Sequence, residues 1–324
     1  MKKVLLTGAT GRIGPYVHEA LIEAGYFVRV ATPDRPKFEK NTEWVEIDFC
    51  IAEEIDYQAL VVDVEVVIHM AAELHDPLRM EAVNVMASRQ LATAANNAGV
   101  SLFIYSSSVG VYGHPCVRLI DESTPVLAMD KGDVFLDHKF LYDYCITKLK
   151  GEYAIRDVLT VTPLIVLRFS NVVTEVQIEK LSEWGIARIL WRGGRYTHQI
   201  YAGDVAAAVL YFLGYCVEGR VMKEDFPVYI LSNDDIVDNT YVNFFRRLAK
   251  ARGQMRWLLY LIVFPSWIDR LKDRLKYRRW RIGLPSGSVR YSPAKLIKHG
   301  FRHKYGIRAV QNAVIAKIIQ KERV

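Results

Sequence analysis

A chain of 324 residues, 51% hydrophobic and 24% charged, can bury a large core in one or two domains, which excludes a disordered or fibrous protein. The formal charge of +7 is local: eighteen Lys or Arg stand against two Asp between Arg246 and Arg308, everything before is net acidic, and no nucleic-acid partner is expected. Cys50, Cys116, Cys145 and Cys216 lie far apart with no C-x-x-C pair, which argues against a disulfide framework and a cysteine zinc site.

The opening residues MKKVLLTGATGRIG predict a strand over 3–7 feeding a turn with glycines at Gly8, Gly11 and Gly14. Glycine suits such a turn because it accepts positive φ and lets backbone approach a phosphate at a helix N-terminus, so a dinucleotide is the expected ligand. The strand begins at once, with no apolar core or cleavage site of a signal peptide, so a cytoplasmic protein is expected. A helix over 12–24 follows, ended by Gly25, then strands FVRVAT (27–32) and WVEID (44–48), a short helix over 53–60 and a strand VEVVIHMAA (64–72). The Val and Ile run of the last strand predicts burial on both faces. A long helix over 80–98, a strand SLFIYSS (101–107), a helix over 142–159 and a strand PLIVLRF (163–169) complete an α/β alternation, the pattern of a Rossmann-type doubly wound parallel sheet.

Beyond Asn171 the pattern loosens, with helical stretches over 177–190 and 204–213, a strand FPVYIL (226–231) and helices in the basic region. Residues 1–170 are therefore read as an NAD(P)-binding domain. Residues 171–324 are read as mainly a smaller substrate-binding lobe, partly woven back onto the sheet, with a substrate cleft between the lobes. The apolar run WLLYLIVF (257–264) is about a third of the length that spans a bilayer, so it predicts a buried helix or a peripheral membrane contact and no transmembrane segment.

Chemistry concentrates in YCITK. Tyr144 and Lys148, four residues apart on a helix, share a face, and a nearby ammonium is expected to lower the phenol pKa. The serine run of FIYSSSVGVYG sits at the end of its strand, where an open α/β sheet meets its ligand. A hydroxyl there can hold a substrate oxygen while Tyr144 handles the proton and Lys148 holds the cofactor ribose. His69 is read as structural. His75, His114, His138 and His198 share no ligand-like spacing, so no metal is expected, and Tyr105 and Tyr112 are read as packing or cleft-lining groups.

With these motifs in order, the chain resembles the extended short-chain dehydrogenase/reductase superfamily, the NAD-dependent epimerase/dehydratase family, nearly end to end. TGATGRIG is similar to its TGxxGxxG turn, Asp48 to its adenine-contacting acid, HMAA to its HxAA strand end, and Asn84 to the asparagine after it. SSSVGVYG places the family's catalytic serine on Ser108, and YCITK its tyrosine and lysine on Tyr144 and Lys148. LRFSN is similar to the stretch whose backbone meets the nicotinamide and whose asparagine, here Asn171, often meets a substrate phosphate. Asp204 matches the Asp-Val-Ala helix start, and YSPAKLIKHGF resembles the C-terminal segment.

The resemblance implies a cofactor site of Gly8, Gly11, Arg12, Ile13, Gly14, Arg35, Asp48, Phe49, Ala71, Ala72, Ser106, Tyr144, Lys148 and Phe169, and a substrate site of Ser108, Val109 and Asn171. It implies hydride transfer at a secondary alcohol or ketone carbon, by a nucleotide-sugar epimerase or reductase, with a lipid or 3β-hydroxysteroid-like dehydrogenase and a non-catalytic NAD(P)-binding sensor as alternatives. It also implies a homodimer. Departures matter: the stretch between Ser108 and Tyr144 is longer than in simple epimerases, that between Asn171 and Asp204 shorter, and Thr197-His198 stands where the family usually has an arginine. Ser108-Val109-Gly110 replaces the Thr-Asp-Glu run of dehydratases, which disfavours dehydration. In ATPDR, Thr32 stands where an NAD-selecting acid often lies. Arg35 and Arg12 could clamp a 2′-phosphate, so NADP is favoured slightly over NAD, with Asp34 weighing the other way.

Overall fold

Apolar side chains run along both faces of the first strands, which only a sheet covered on both sides can bury. The computed structural model describes residues 2–37, 40–128, 139–217, 226–236, 238–254, 263–265, 268–277 and 283–323. Strands β1 (Lys3–Thr7), β2 (Phe27–Thr32), β3 (Thr42–Glu46), β4 (Val66–His69), β5 (Leu102–Ser108), β7 (Leu164–Phe169) and β10 (Val228–Leu231) form one sheet in the order β10-β7-β5-β4-β1-β2-β3. The registers from β3 through β7 are parallel. Four shorter strands, β6 (Leu119–Ile120), β8 (Asn171–Val173), β9 (Gln199–Tyr201) and β11 (Arg290–Tyr291), form two small ladders, β6 with β11 and β8 with β9.

Alternation assigns the faces. Leu5, Val67, Phe103, Tyr105 and Val166 pack with Tyr57 and Leu60 of α2 (Glu54–Leu60), Leu91 and Ala95 of α4 (Ser88–Asn97) and Ile155 of α5 (Lys139–Arg156). The intervening Val4, Leu6, Val28, Val30 and Ile104 are buried as well, and α1 (Gly14–Glu23) and α8 (Ala202–Val217) bury Val17, Leu21, Val209 and Phe212.

Several boundaries differ from the sequence expectation for local reasons. Helix α1 starts at Gly14 because the turn is still closing at Gly11, whose N–H reaches the Gly8 carbonyl at 3.1 Å, and Pro15 then suits the first helical turn. Strand β4 ends at His69, where the Thr7 hydroxyl takes the next two backbone N–H groups. The helix expected over 80–98 begins earlier, with α3 (Pro77–Glu81) capped by the Asp76 side chain, and continues through a π-helical turn (Ala82–Ala87) into α4. The single helix expected over 177–190 is two, α6 (Glu175–Leu181) and α7 (Ile186–Arg192), with Gly185 between them.

Two compact units result: Met1–Val111, Val126–Phe169 and Val205–Tyr229 make the first, and Tyr112–Pro125, Ser170–Asp204 and Ile230–Val324 the second. The second holds β6, β8, β9, β11, α6 and α7 with α9 (Tyr241–Ala251), α10 (Ile268–Tyr277), α11 (Ala294–His299) and α12 (Ile307–Glu322). His138 and most of the apolar run over 257–264 lie outside the described residues, as does the Cys216 side chain.

Candidate active site

The glycine turn is shaped by close approach. Gly8 has φ +71°, and a Cβ there would lie 2.7 Å from the backbone of Met70 and Ala71, so the end of β1 can meet the end of β4 only through glycine. Gly14 packs against the turn itself: a Cβ would fall 2.3 Å from the Ala9 carbonyl oxygen. Arg12 is exposed on this turn and Ile13 half-buried.

Beside it a hydrogen-bond chain fixes the end of β4. Thr7 Oγ1 accepts from the backbone N–H groups of Met70 and Ala71, both at 3.0 Å, so its own proton goes to His69 Nδ1 at 2.8 Å. His69 Nε2–H then donates to Ser88 Oγ, and Ser88 donates to the Asn84 carbonyl. Burial pushes the His69 pKa down to about 3, so the ring is a neutral structural link. Ala71 and Ala72, just past it, are half-buried. Asn84, in the π-helical turn, is fully buried; its amide holds both backbone groups of Glu73 and donates to Thr147 of α5. The π turn thus carries an asparagine that links the chain after β4 to α5.

Around the expected adenine end, Asp48 takes both Arg79 (2.9 and 3.0 Å) and the Cys50 N–H. Phe49 is buried, its ring 6.1 Å from that of His69 and 6.2 Å from that of Tyr57, so its side chain is core. Thr32 is buried and donates to the Asp34 carbonyl, while Asp34 and Arg35 are exposed and the Arg35 guanidinium lies 5.8 Å from the Trp44 ring centre.

Helix α5 lays Tyr144, Lys148 and Glu152 along one face at successive turns. Lys148 is 1% exposed, its Nζ has no hydrogen-bond partner, and it lies 4.1 Å from the centre of the buried Tyr105 ring. Burial drives its pKa down to about 7, against the opposing pull of Glu152. The Tyr144 phenol departs from expectation: burial, with the Cys145 thiol adding to it, raises its pKa above the ordinary value, opposite to the direction expected of a neighbouring ammonium. At the end of β5, Ser108 Oγ accepts the Gly110 N–H at 3.1 Å, which leaves the hydroxyl proton for donation. Gly110 presses on α5: a Cβ there would lie 2.4 Å from Cys145 Sγ and 3.3 Å from Ser108 Oγ, so Ser108 and the residue next to Tyr144 meet across one glycine.

Ser106 and Ser107 are buried, and Ser107 donates to Glu152, which also receives the guanidinium of Arg168 at 2.6 and 3.0 Å. This buried Glu152–Arg168 pair was not anticipated, although the i, i+4, i+8 spacing from Tyr144 and an arginine inside LRFSN could have pointed to it. Val109 is buried, and so is Phe169 at the end of β7.

In the second unit, Asn171 is exposed at the start of β8; its N–H bonds the His198 carbonyl and its amide the Thr197 carbonyl. His198, at φ +52°, has Nδ1 2.5 Å from the buried carboxylate of Asp234, so a residue pair stands where the resemblance leads one to expect an arginine. Among the described residues no three His, Cys, Asp or Glu gather to hold a metal, and no helix is long and apolar enough to cross a membrane.

Residues 4–225 match the model of the NAD dependent epimerase/dehydratase family. The chain belongs to that family, a family of enzymes. It is 27% identical over 238 residues to a protein of Methanocaldococcus jannaschii named "Putative UDP-glucose 4-epimerase", covering 65% of this chain and 73% of that one. Solved structures share the fold at low identity. The UDP-Glc/GlcNAc 4-epimerase of Campylobacter jejuni superposes with TM-score 0.69 at 16% identity, over 99% of this chain and 100% of the other. The Bordetella bronchiseptica enzyme WbmH in complex with NAD+ gives 0.67 at 19%, over 99% of each.

Proposed function

We propose that this member of the epimerase/dehydratase family transfers hydride at a secondary carbinol or ketone carbon of a nucleotide-linked sugar, as an epimerase or reductase. Lys148 carries the reading: a buried ammonium with no hydrogen-bond partner among the described residues, one turn from a tyrosine and over the Tyr105 ring of the serine-bearing strand, is costly to keep unless a ligand completes it. The residues fit a nicotinamide dinucleotide, since Lys148 Nζ offers donors for ribose hydroxyls and the turn at Gly8 presents backbone without side chains. When bound, the nicotinamide supplies the site that accepts and returns hydride. Ser108 donates to the substrate oxygen, Tyr144 gives or takes the proton on that oxygen, and Lys148 stabilises the phenolate when the proton has left. The names of the Methanocaldococcus relative, "Putative UDP-glucose 4-epimerase", and of the Campylobacter UDP-Glc/GlcNAc 4-epimerase support the substrate class.

Tyr144→Phe tests the assignment. Turnover should fall by about 100- to 10,000-fold with cofactor affinity kept, and unchanged turnover would refute the role. Cofactor retained through purification indicates epimerisation; a requirement for added cofactor indicates net reduction or oxidation. The latter is the second reading, a lipid or steroid-like ketone as substrate, favoured by Thr197 and His198 in the arginine's place. A non-catalytic sensor is disfavoured by the complete Ser108, Tyr144 and Lys148 set.

Exposed Arg35, three residues past Thr32, and exposed Arg12 of the glycine turn favour NADP over NAD, which titration with each reduced cofactor tests. Exposed Leu78, Met86 and Leu141 on α3, the π turn and α5 support a homodimer, to be read by sedimentation. The thiols of Cys50 and Cys145, outside any disulfide, suit the reducing cytoplasm, which fractionation of cells would check.

A further inference from the structure

Helix α10 is amphipathic with its apolar stripe turned to water. Ile268, Leu271 and Leu275 repeat at i, i+3, i+7, and Leu271 and Leu275 are 45% and 75% exposed. Trp191 of α7, exposed, joins them around an open cavity of about 480 Å³ lined by Trp191, Ile268, Leu271, Lys272 and Leu275. The Trp191 ring also meets that of exposed Phe264 at 5.4 Å between centres. An apolar face of this size on an exposed helix calls for a covering surface.

The charges say which. Helical spacing sets Lys272 on one flank of the stripe and Arg274 on the other, and exposed Arg188 and Arg192 lie on α7 near Trp191. Asp269 of α10 points away from this surface, into a half-buried ion pair with Arg195 at 2.5 and 2.7 Å that ties the helix to the rest of its unit. Asp269 is thereby withdrawn, helical spacing sets the position of Asp273, the helix's other acid, on the side opposite the leucines, and Lys272, Arg274 and Arg192 are exposed, as is Arg188, whose guanidinium lies 4.0 Å from the Trp184 ring centre. A second copy of this chain would bring the same positive rim against itself. A nucleic acid would meet the bases and leave the leucines and tryptophan in water. Both features are satisfied by one surface, apolar below and anionic above.

We propose that α10 and the adjoining end of α7 dock the protein on an anionic lipid bilayer, Leu271, Leu275 and Trp191 entering the interfacial layer while Lys272, Arg274, Arg188 and Arg192 meet headgroup phosphates. The inference is independent of the proposed chemistry, since none of these residues belongs to the catalytic or cofactor set.

Co-sedimentation of the full chain with vesicles tests it. Binding to phosphatidylcholine vesicles containing phosphatidylserine should be at least about tenfold tighter than to phosphatidylcholine alone, and should weaken as salt rises. Leu271→Asp with Leu275→Asp should abolish it, and Lys272→Glu with Arg274→Glu should weaken it by about tenfold or more, with far-ultraviolet circular dichroism and turnover on a soluble substrate unchanged. Two pairs of substitutions, one apolar and one charged, guard against a variant that fails to fold. No partition onto anionic vesicles would overturn the proposal. So would partition unaffected by either pair, or a leucine pair that converts a dimer to monomers in sedimentation, which would assign the face to a second copy.

Discussion

Lys148 sits where the folded chain alone resists a charge, since burial takes its pKa from 10.5 to about 7. Below pH 7 folded and unfolded chains both carry the proton, and the full cost of burying the ammonium is present. Between pH 7 and 10.5 the unfolded chain holds a proton that the folded chain has lost, so stability rises with pH across that window. Lys148→Met is therefore expected to stabilise the protein by about 1–3 kcal/mol near pH 6, after allowing for the lost contact with the Tyr105 ring, and by less near pH 10. It should also abolish turnover. Thermal melts at the two pH values check this, and an equal gain at both would remove burial of the charge as the cause. Tyr144 shows the complementary limit of reading residues in isolation. Spacing alone puts the ammonium within reach of the phenol, but the direction of the phenol's shift depends on how much water the fold leaves around it, which spacing does not encode.

At the scale of elements, α5 meets two of its neighbours closely at Gly151. A Cβ at Gly151 would lie 2.5 Å from both the Asn84 carbonyl and the Tyr105 hydroxyl, whereas among the described residues nothing lies within 4 Å of one at Gly214 in α8. Alanine in a helix ordinarily gains up to about 1 kcal/mol over glycine, so Gly214→Ala should stabilise by roughly that amount. Gly151→Ala should instead cost about 1–3 kcal/mol through overpacking. Urea titrations of the pair read the difference in sign, and a gain at both positions would mean that α5 has room to shift. Such contacts also explain what was legible beforehand. β2 is found at the predicted 27–32, and the glycine turn and Y-x-x-x-K stand where their local pattern puts them. β3 lies two residues earlier than its own pattern suggested, because pairing with Val28–Thr32 sets its register. The π turn was hidden, since a 3.6-residue apolar period does not distinguish it from a regular helix, and β6, β8, β9 and β11, at two or three residues each, are too short to show alternation. Glu152 escaped because its partners, Ser107 and Arg168, come from two other elements.

For the whole molecule, the first unit is not a continuous stretch of chain. It takes back Val205–Tyr229, which carries α8 and leads into the edge strand β10. Within α8, Val205, Val209, Phe212 and Leu213 are at most 1% exposed, and Phe212 packs on Tyr229 with ring centres 5.1 Å apart. On the other side of the sheet's end, the Val166 N–H bonds the Pro227 carbonyl. A fragment of residues 1–170 would keep every residue assigned to the cofactor yet lack this returning segment. The burial of those four side chains is worth about 6–12 kcal/mol, and a domain's whole net stability is about 5–15 kcal/mol. The fragment is therefore expected to lack a cooperative thermal transition and dispersed amide resonances, and to bind no dinucleotide. Co-expression with residues 171–324 should restore all three, because the second piece returns α8 and β10. A cooperatively melting, cofactor-binding fragment 1–170 would show instead that the glycine turn and the six remaining strands of the sheet suffice without them.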